Sequence, residues 1–253
     1  MTKIIAIANQ KGGVGKTTTS VNLSAGLATI GKKVLLIDTD PQGNATSGVG
    51  VNKSEIEQSI YDVLIDELPL EEIIHKTGIE HLCIAPTTIA LAGAEIELVS
   101  TISREARLKN AIKKVQNDFD YIIIDCPPSL GLLTLNALTA ADAVIIPVQC
   151  EFYALEGLSQ LLSTISLVQK HLNEDLLIDG VLLTMFDVRT NLSTQVAEEV
   201  KKFFEEQVYE TIIPRSVRLS EAPSHGESIL QYDPKSKGAE VYLQFAKEVA
   251  QHG

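Results

Sequence analysis

One passage of the sequence has residue types and spacing that point directly to phosphate chemistry. Lys11-Gly12-Gly13-Val14-Gly15-Lys16-Thr17-Thr18 follows a short β-branched run, Lys3–Ala8, and leads into a helix-like segment, Thr18–Ile30. Glycines let successive amides turn inward around a phosphate without obstruction from Cβ, and the helix that follows offers its positive end. In that register Lys16 reaches the β- and γ-phosphates, and the Thr17 hydroxyl can ligate Mg²⁺. The spacing departs from G-x-x-x-x-G-K-[ST] at its first glycine, because position 10 is Gln10. A second lysine, Lys11, stands in front of Gly12-Gly13 instead. Lys16 and a metal already face the phosphates, so an extra cation at the rim is free to act across an interface.

Carboxylates follow two further apolar runs. Val34-Leu35-Leu36-Ile37 ends in Asp38-Thr39-Asp40-Pro41-Gln42-Gly43-Asn44, with two acids at period-two spacing and therefore on one side of a strand. Phosphoryl transfer depends on positioning and charge stabilisation, which makes Asp40 the candidate for orienting the attacking water. Asp38 either supports it or makes a helix-capping or loop hydrogen bond. Ile122-Ile123-Ile124 ends in Asp125, the form of a strand that delivers one acid to Mg²⁺ through a water. Cys126 comes next, and no His/Asn set accompanies it to activate a thiol, so a buried structural cysteine is expected.

These groups need elements to hold them in place. Seven runs read as strands: Lys3–Ala8, Lys33–Asp38, His81–Ala85, Tyr121–Asp125, Ala143–Val148, Ile178–Thr184 and Tyr209–Ile213. The segments between them read as helices. Strands apolar at every position belong to a parallel sheet covered on both faces, and the alternation predicts an α/β, doubly wound, mostly parallel sheet with helices on both faces. Ligands then sit beyond the carboxyl ends of the strands. A last helix, about Ser236–Ala250, sets Ala239, Tyr242, Phe245 or Ala246, and Val249 in one stripe suited to core packing. Thr39–Thr101, the least regular stretch, mixes Gly, Asn and Ser with short helical pieces and is expected to hold mobile loops near the site. With no linker or repeat, 1–253 reads as one domain.

Composition sets limits. The chain has 253 residues, 45% hydrophobic and 21% charged, with 21 Lys or Arg against 33 Asp or Glu and a net charge of −12. That argues against a simple coat for nucleic acid or anionic lipid. Three scattered cysteines, Cys83, Cys126 and Cys150, build neither a disulfide framework nor a metal site. Ala6-Ile7-Ala8 has the look of a cleavage site, but the apolar run before it is too short for a signal peptide. No run reaches the length of a spanning helix, so a cytoplasmic protein is expected.

KGGVGKTT, LLIDTDPQGNATSG, IIIDCPPSLG and VRLSEAPSHG together resemble the ParA/Soj branch of the deviant Walker ATPases, which are P-loop NTPases of bacterial chromosome partitioning. The resemblance runs from Lys3 to about Ala250. It implies weak hydrolysis of ATP to ADP and phosphate with Mg²⁺, and an ATP-dependent homodimer in which Lys11 reaches the nucleotide of the second subunit. It also implies nonspecific DNA binding by that dimer on the nucleoid, stimulation by a ParB-like centromere-binding protein, and a possible link to a replication initiator. Carried over by position, Lys11 to Thr18 contact phosphates and Mg²⁺, Asp40 serves hydrolysis and Asp125 is the outer acid of the metal. Pro214-Arg215-Ser216 touch the adenine and ribose side, and Arg189 and Arg218 contact DNA.

The charge pattern constrains the last of these roles. Thr184–Leu219 holds five cations (Arg189, Lys201, Lys202, Arg215, Arg218) against six acids, so there is no basic run. Two copies closed on ATP could align Arg189 and Arg218 on one face; each phosphate contact adds about −0.9 to the salt slope, which makes binding conditional on the dimer. A MinD-like membrane-associated relative shares the phosphate loop but ends in a basic amphipathic helix. Lys235–Gly253, with three Lys, two Glu and apolar residues suited to a core, disfavours stable membrane binding. Iron–sulfur reductases need cluster cysteines that are absent here. A regulatory switch that uses the nucleotide only to control a replication initiator remains compatible with the same residues.

Overall fold

In the computed structural model, residues 1–151 and 158–252 are described. Among them the strands are β1 (Lys3–Ile7), β2 (Val34–Asp38), β3 (His75–Lys76), β4 (Leu82–Ala85), β5 (Tyr121–Asp125), β6 (Ala143–Gln149) and β7 (Leu177–Thr184). The helices are α1 (Lys16–Thr29), α2 (Asn44–Gly48), α3 (Ile60–Ile65), α4 (Leu91–Glu97), α5 (Arg107–Val115) and α6 (Leu132–Ala140). They continue with α7 (Leu158–His171), α8 (Asn191–Phe204), α9 (Val217–Glu221), α10 (Ile229–Tyr232) and α11 (Lys237–Gln251). The strands form one sheet in the order β3-β4-β2-β5-β1-β6-β7, parallel at every pairing except β3 with β4.

Period-two alternation distributes the strand residues between two cores. Ile4, Ala6, Leu35, Ile37, Ile122 and Ile124 face α3 to α8 on one side. Ile5, Ile7, Val34, Leu36, Tyr121 and Ile123 face α1, α2 and α9 to α11 on the other. Because both faces are covered, the central strands are apolar throughout, as a doubly wound parallel sheet requires. The register pairs Ile7 with Asp125 and Asp38 with Asp125, so β1, β2 and β5 end level with one another. The turns that carry the phosphate loop and the acids leave the sheet side by side.

One expected strand needs correction, and one short strand is new. Tyr209–Ile213 is not a strand: it meets β7 only at its ends, through Tyr209 N to Val181 O at 3.1 Å and Ile213 N to Leu183 O at 2.9 Å. Between them, the amides of Glu210 and Thr211 donate to the Glu248 carboxylate of α11 at 2.7 and 3.1 Å, which takes them out of the ladder. The short antiparallel β3 was not anticipated; two exposed residues give no periodicity to read. Thr39–Thr101 holds the short helical pieces and the strand expected of it, the latter as β4. A capping box from Ser59 and Asp62 starts α3, and that helix, α4 and β4 all contribute to the core.

The predicted stripe of the last helix is core. Ala239, Tyr242, Phe245, Ala246 and Val249 are all buried. α11 lies against α1 at Gly26, where a Cβ would come within 2.7 Å of Ala246 Cβ and 3.3 Å of Tyr242 O. That approach is possible only without a side chain. Gly26→Val should therefore lower stability by about 1–3 kcal/mol through overpacking, measured as a shift in the urea midpoint at constant m-value.

Candidate nucleotide-binding site

The phosphate loop is shaped by its glycines and pinned from both sides. Gly13 and Gly15 adopt φ of 74° and 91°, in the left-handed region that other residues rarely enter. Asn9 fixes the entry: its Nδ2 donates to Pro147 O on β6 at 2.8 Å, and its Oδ1 accepts from Lys11 N at 3.0 Å. Thr184, at the end of β7, donates from Oγ1 to Val14 O at 2.8 Å. Among the described residues, no backbone carbonyl accepts from the amides of Gly12, Gly13, Val14 or Gly15. Polar N–H groups left free in a turn at a helix N-terminus are what an anion site consists of. The donor set therefore fits a phosphate.

Lys16 is 6% exposed, and its Nζ crosses the loop to donate to Lys11 O at 3.0 Å. Burial lowers its pKa, while the nearby acids Asp125 and Asp40 oppose that shift. Asp125 is fully buried and accepts two hydroxyls from α1, Thr17 Oγ1 at 2.8 Å and Ser20 Oγ at 2.7 Å. A hydroxyl that gives its hydrogen to a carboxylate presents its lone pairs outward. Thr17 is therefore set up to ligate a cation, with Asp125 behind it, and the residues fit Mg²⁺ in the predicted arrangement. Desolvation raises the pKa of Asp125, with Asp38 adding to it and the two hydroxyls opposing it.

The two acids after β2 separate in role. Asp38 is fully buried and accepts from Thr46 N and Thr46 Oγ1, both at 2.8 Å, and from Asp40 N at 3.2 Å. Its carboxylate is consumed in fixing the loop, so of the two readings the loop hydrogen bond describes it. Asp40 accepts from Gln42 N at 3.0 Å and lies close enough to Lys16 to act on its charge, at 7% exposure. Cys126 is buried, its thiol pushed up by desolvation, and Cys150 is pushed up to about 11 by the same cause. Neither has the ionised thiol that reactivity requires.

Beside the loop lies a cleft of about 470 Å³ lined by Gly15, Thr18, Met185, Pro214, Arg215, Ser216 and Tyr242, among others. Its Pro214–Ser216 wall is the predicted base-side loop, next to the phosphate loop. Lys11, Arg189 and Arg215 meet around a second concavity of about 600 Å³. Arg189 is 82% exposed and held by Asp187 through Nε and NH2 at 2.9 and 2.7 Å, while Arg215 is paired with Glu151 at 2.8 Å. That pairing draws the Asp187 pKa well below the usual carboxylate range. Arg218 does not line either concavity with Arg189; it is paired with Glu221 at 3.0 Å and Asp233 at 3.6 Å. Sequence reading missed Ser20, Thr46, Thr184 and Asn9. Ser20 had a signal, since it lies three residues after Thr17 on the same helix face.

Comparison with known proteins places this geometry. The AAA domain family profile matches residues 2–178. Over 253 residues, all of both chains, the sequence is 70% identical to the sporulation initiation inhibitor protein Soj of Bacillus subtilis. The chain belongs to the Soj/ParA family of chromosome-partitioning proteins. Over 247 residues, it is also 56% identical to the chromosome partitioning protein ParA of Myxococcus xanthus, covering 98% of this chain and 87% of that one. Among solved structures, a Mycobacterium smegmatis protein described as cobyrinic acid a,c-diamide synthase is similar at TM-score 0.88 and 42% identity. The match covers all of this chain and 95% of that one, and the protein is seen with bound ADP and magnesium. The P-loop NTPase fold and the Soj/ParA resemblance are thus established for this chain.

The support under Asp38 makes a measurable demand. Thr46→Val removes a hydroxyl donor from a fully buried carboxylate and should cost about 1–3 kcal/mol, read by thermal unfolding with the phosphate loop unchanged.

Proposed function

We propose that this chain is, as a single domain, an ATP-dependent DNA-partitioning ATPase. The single observation that carries this reading is the convergence of a phosphate loop, Lys16, Thr17 and a carboxylate, Asp125, that orients the Thr17 hydroxyl. Lys11 to Thr18 bind the phosphates, Pro214, Arg215 and Ser216 take the base side, and Thr17 with Asp125 holds Mg²⁺. The metal supplies neutralisation of phosphate charge. Asp40, beside Lys16 and not committed to the loop as Asp38 is, orients the attacking water. Turnover is slow, and its products are ADP and phosphate.

ATP closes two copies into a sandwich dimer in which Lys11 reaches the partner's nucleotide. The placement of Lys11 in one concavity with Arg189 and Arg215 favours this reading, because closing that rim changes the surroundings of the arginines. The dimer presents Arg189 and Arg218 to DNA without sequence preference, and a ParB-like partner stimulates hydrolysis and release. A net charge of −12 keeps the single chain off DNA, so the nucleoid-bound form is the ATP form. The membrane reading is not favoured, because the apolar stripe of α11 is buried against α1 and is not free to enter a lipid surface.

Two experiments test the reading. Asp40→Ala should retain ATP binding and dimerisation and lose most hydrolysis, measured by phosphate release beside equilibrium nucleotide binding; unchanged turnover removes Asp40 from its role. Duplex DNA binding, measured with ATP, ADP and no nucleotide at two salt concentrations, should appear only with ATP. It should be lost in Arg189→Glu while the dimer persists in sedimentation. DNA binding indifferent to ATP, or better binding to liposomes than to DNA, overturns the reading.

A further inference from the structure

A concavity of about 670 Å³ lies between α3 and α5, away from the phosphate loop. Its apolar side is Val63, Leu68, Pro69 and Ile102, and its cations are Arg107 and Lys114. Ile102 is 88% exposed and ends a run of exposed apolar side chains at every third position, Ile96, Val99 and Ile102. Such side chains in water are a cost unless something covers them.

The charge around this cleft is opposite to that of the protein. Residues 104–115 hold five cations, Arg104, Arg107, Lys109, Lys113 and Lys114, against the single acid Glu105, a net of +4 in a chain whose total is −12. α5 itself contains no acid. Arg107 pairs with Glu67 and Arg104 with Glu105. Among the described residues, Lys109, Lys113 and Lys114 have no ion-pair partner.

We infer that the α3–α5 cleft docks a segment of a partner protein that carries carboxylates beside one or two bulky apolar side chains, as an acidic amphipathic helix does. The apolar wall takes the anchors, and Lys114, the unpaired lysine of the lining, takes an acid, while the positive field of residues 104–115 supplies orientation and encounter rate. Duplex DNA fits less well: the surface is concave, its floor is apolar, and Glu67 sits in it. The cleft is also remote from the DNA arginines in the strand order, since α5 connects β4 to β5 and Arg189 follows β7 at the far edge.

The docking surface is wired to the helix that follows Asp125. Asn136 of α6 accepts from Leu108 N at 3.1 Å and donates to Arg104 O at 2.7 Å and Leu132 O at 2.9 Å, fixing the start of α5 on α6. A segment seated here therefore rests one helix away from the phosphate site, and the inference stands independently of the proposed nucleotide chemistry.

The test is fluorescence anisotropy on the full chain. The probe is a labelled helical peptide of about 15 residues with Leu along one face and Glu elsewhere, compared with its Lys counterpart. The acidic peptide should bind, should weaken as salt rises from about 50 to about 300 mM, and should outbind the Lys peptide at least about tenfold. Ile102→Asp and Lys114→Glu should each weaken it at least about fivefold. Both side chains are exposed and outside the nucleotide cleft, so melting temperature and basal phosphate release should stay unchanged. No binding of the acidic peptide, equal binding by both variants, or equal binding of the Lys peptide overturns the inference. So does a short DNA duplex, or self-association of the chain in sedimentation, that is lost in these two variants while peptide binding is kept.

Discussion

The structure depends on the bonds between one buried carboxylate and one helix. Asp125 ends the central strand β5, and the hydroxyls of Thr17 and Ser20 reach it from the first turns of α1. Leaving that carboxylate unpaired in the interior would cost several kcal/mol, so sheet and helix are locked at the point where the phosphate loop is formed. Thr39 Oγ1 adds a third tie, donating to Asp125 O at 2.6 Å. One short segment of backbone thus fixes the ends of β1, β2 and β5 relative to the loop, and the position of Asp40 follows from it.

Electrostatics divides the molecule into regions with different tasks. Around the loop, the buried acids Asp38, Asp40 and Asp125 surround a single buried cation, Lys16. Burial raises the pKa values of Asp38 and Asp125, and the neighbouring acids add to the shift. At the rim, each exposed arginine is held by an acid of its own chain: Arg189 by Asp187, Arg215 by Glu151 and Arg218 by Glu221. Exposed pairs of this kind are weak, about 0–1 kcal/mol, and can be exchanged for another anion at little cost. The arginines of this acidic surface thus carry counter-ions that another anion can replace.

Much of this was legible in the sequence because the informative residues are local. The phosphate loop lies within eight consecutive positions, and strands that are apolar at every residue announce a sheet covered on both sides. Asp125 was marked by the isoleucines before it. What escaped reading depends on contacts distant along the chain. Nothing near Tyr209 indicates that Glu248 will take the amides of Glu210 and Thr211, so an apparently good strand is interrupted from a helix 37 residues and more away. Thr46 and Asp38 are eight residues apart with a turn between them, and no periodicity links such positions. The separation of Asp38 from Asp40 in role follows from that one hydroxyl, and so period-two spacing alone left it open.

The C-terminal helix gives the site an order of assembly. Tyr242 lines the cleft beside the phosphate loop, and its hydroxyl lies 3.3 Å from Thr19 Oγ1, two residues beyond Thr17. Asn22 of the same helix bridges Thr18 O and Ile229 N at 2.8 and 2.7 Å. The residues of the phosphate loop leave the ribosome more than two hundred positions before Ile229 and Tyr242, which brace α1. A nascent chain of two hundred residues therefore carries the phosphate loop together with Asn9 and Thr184, which pin it, but neither Tyr242 of the cleft wall nor Ile229, against which Asn22 braces α1.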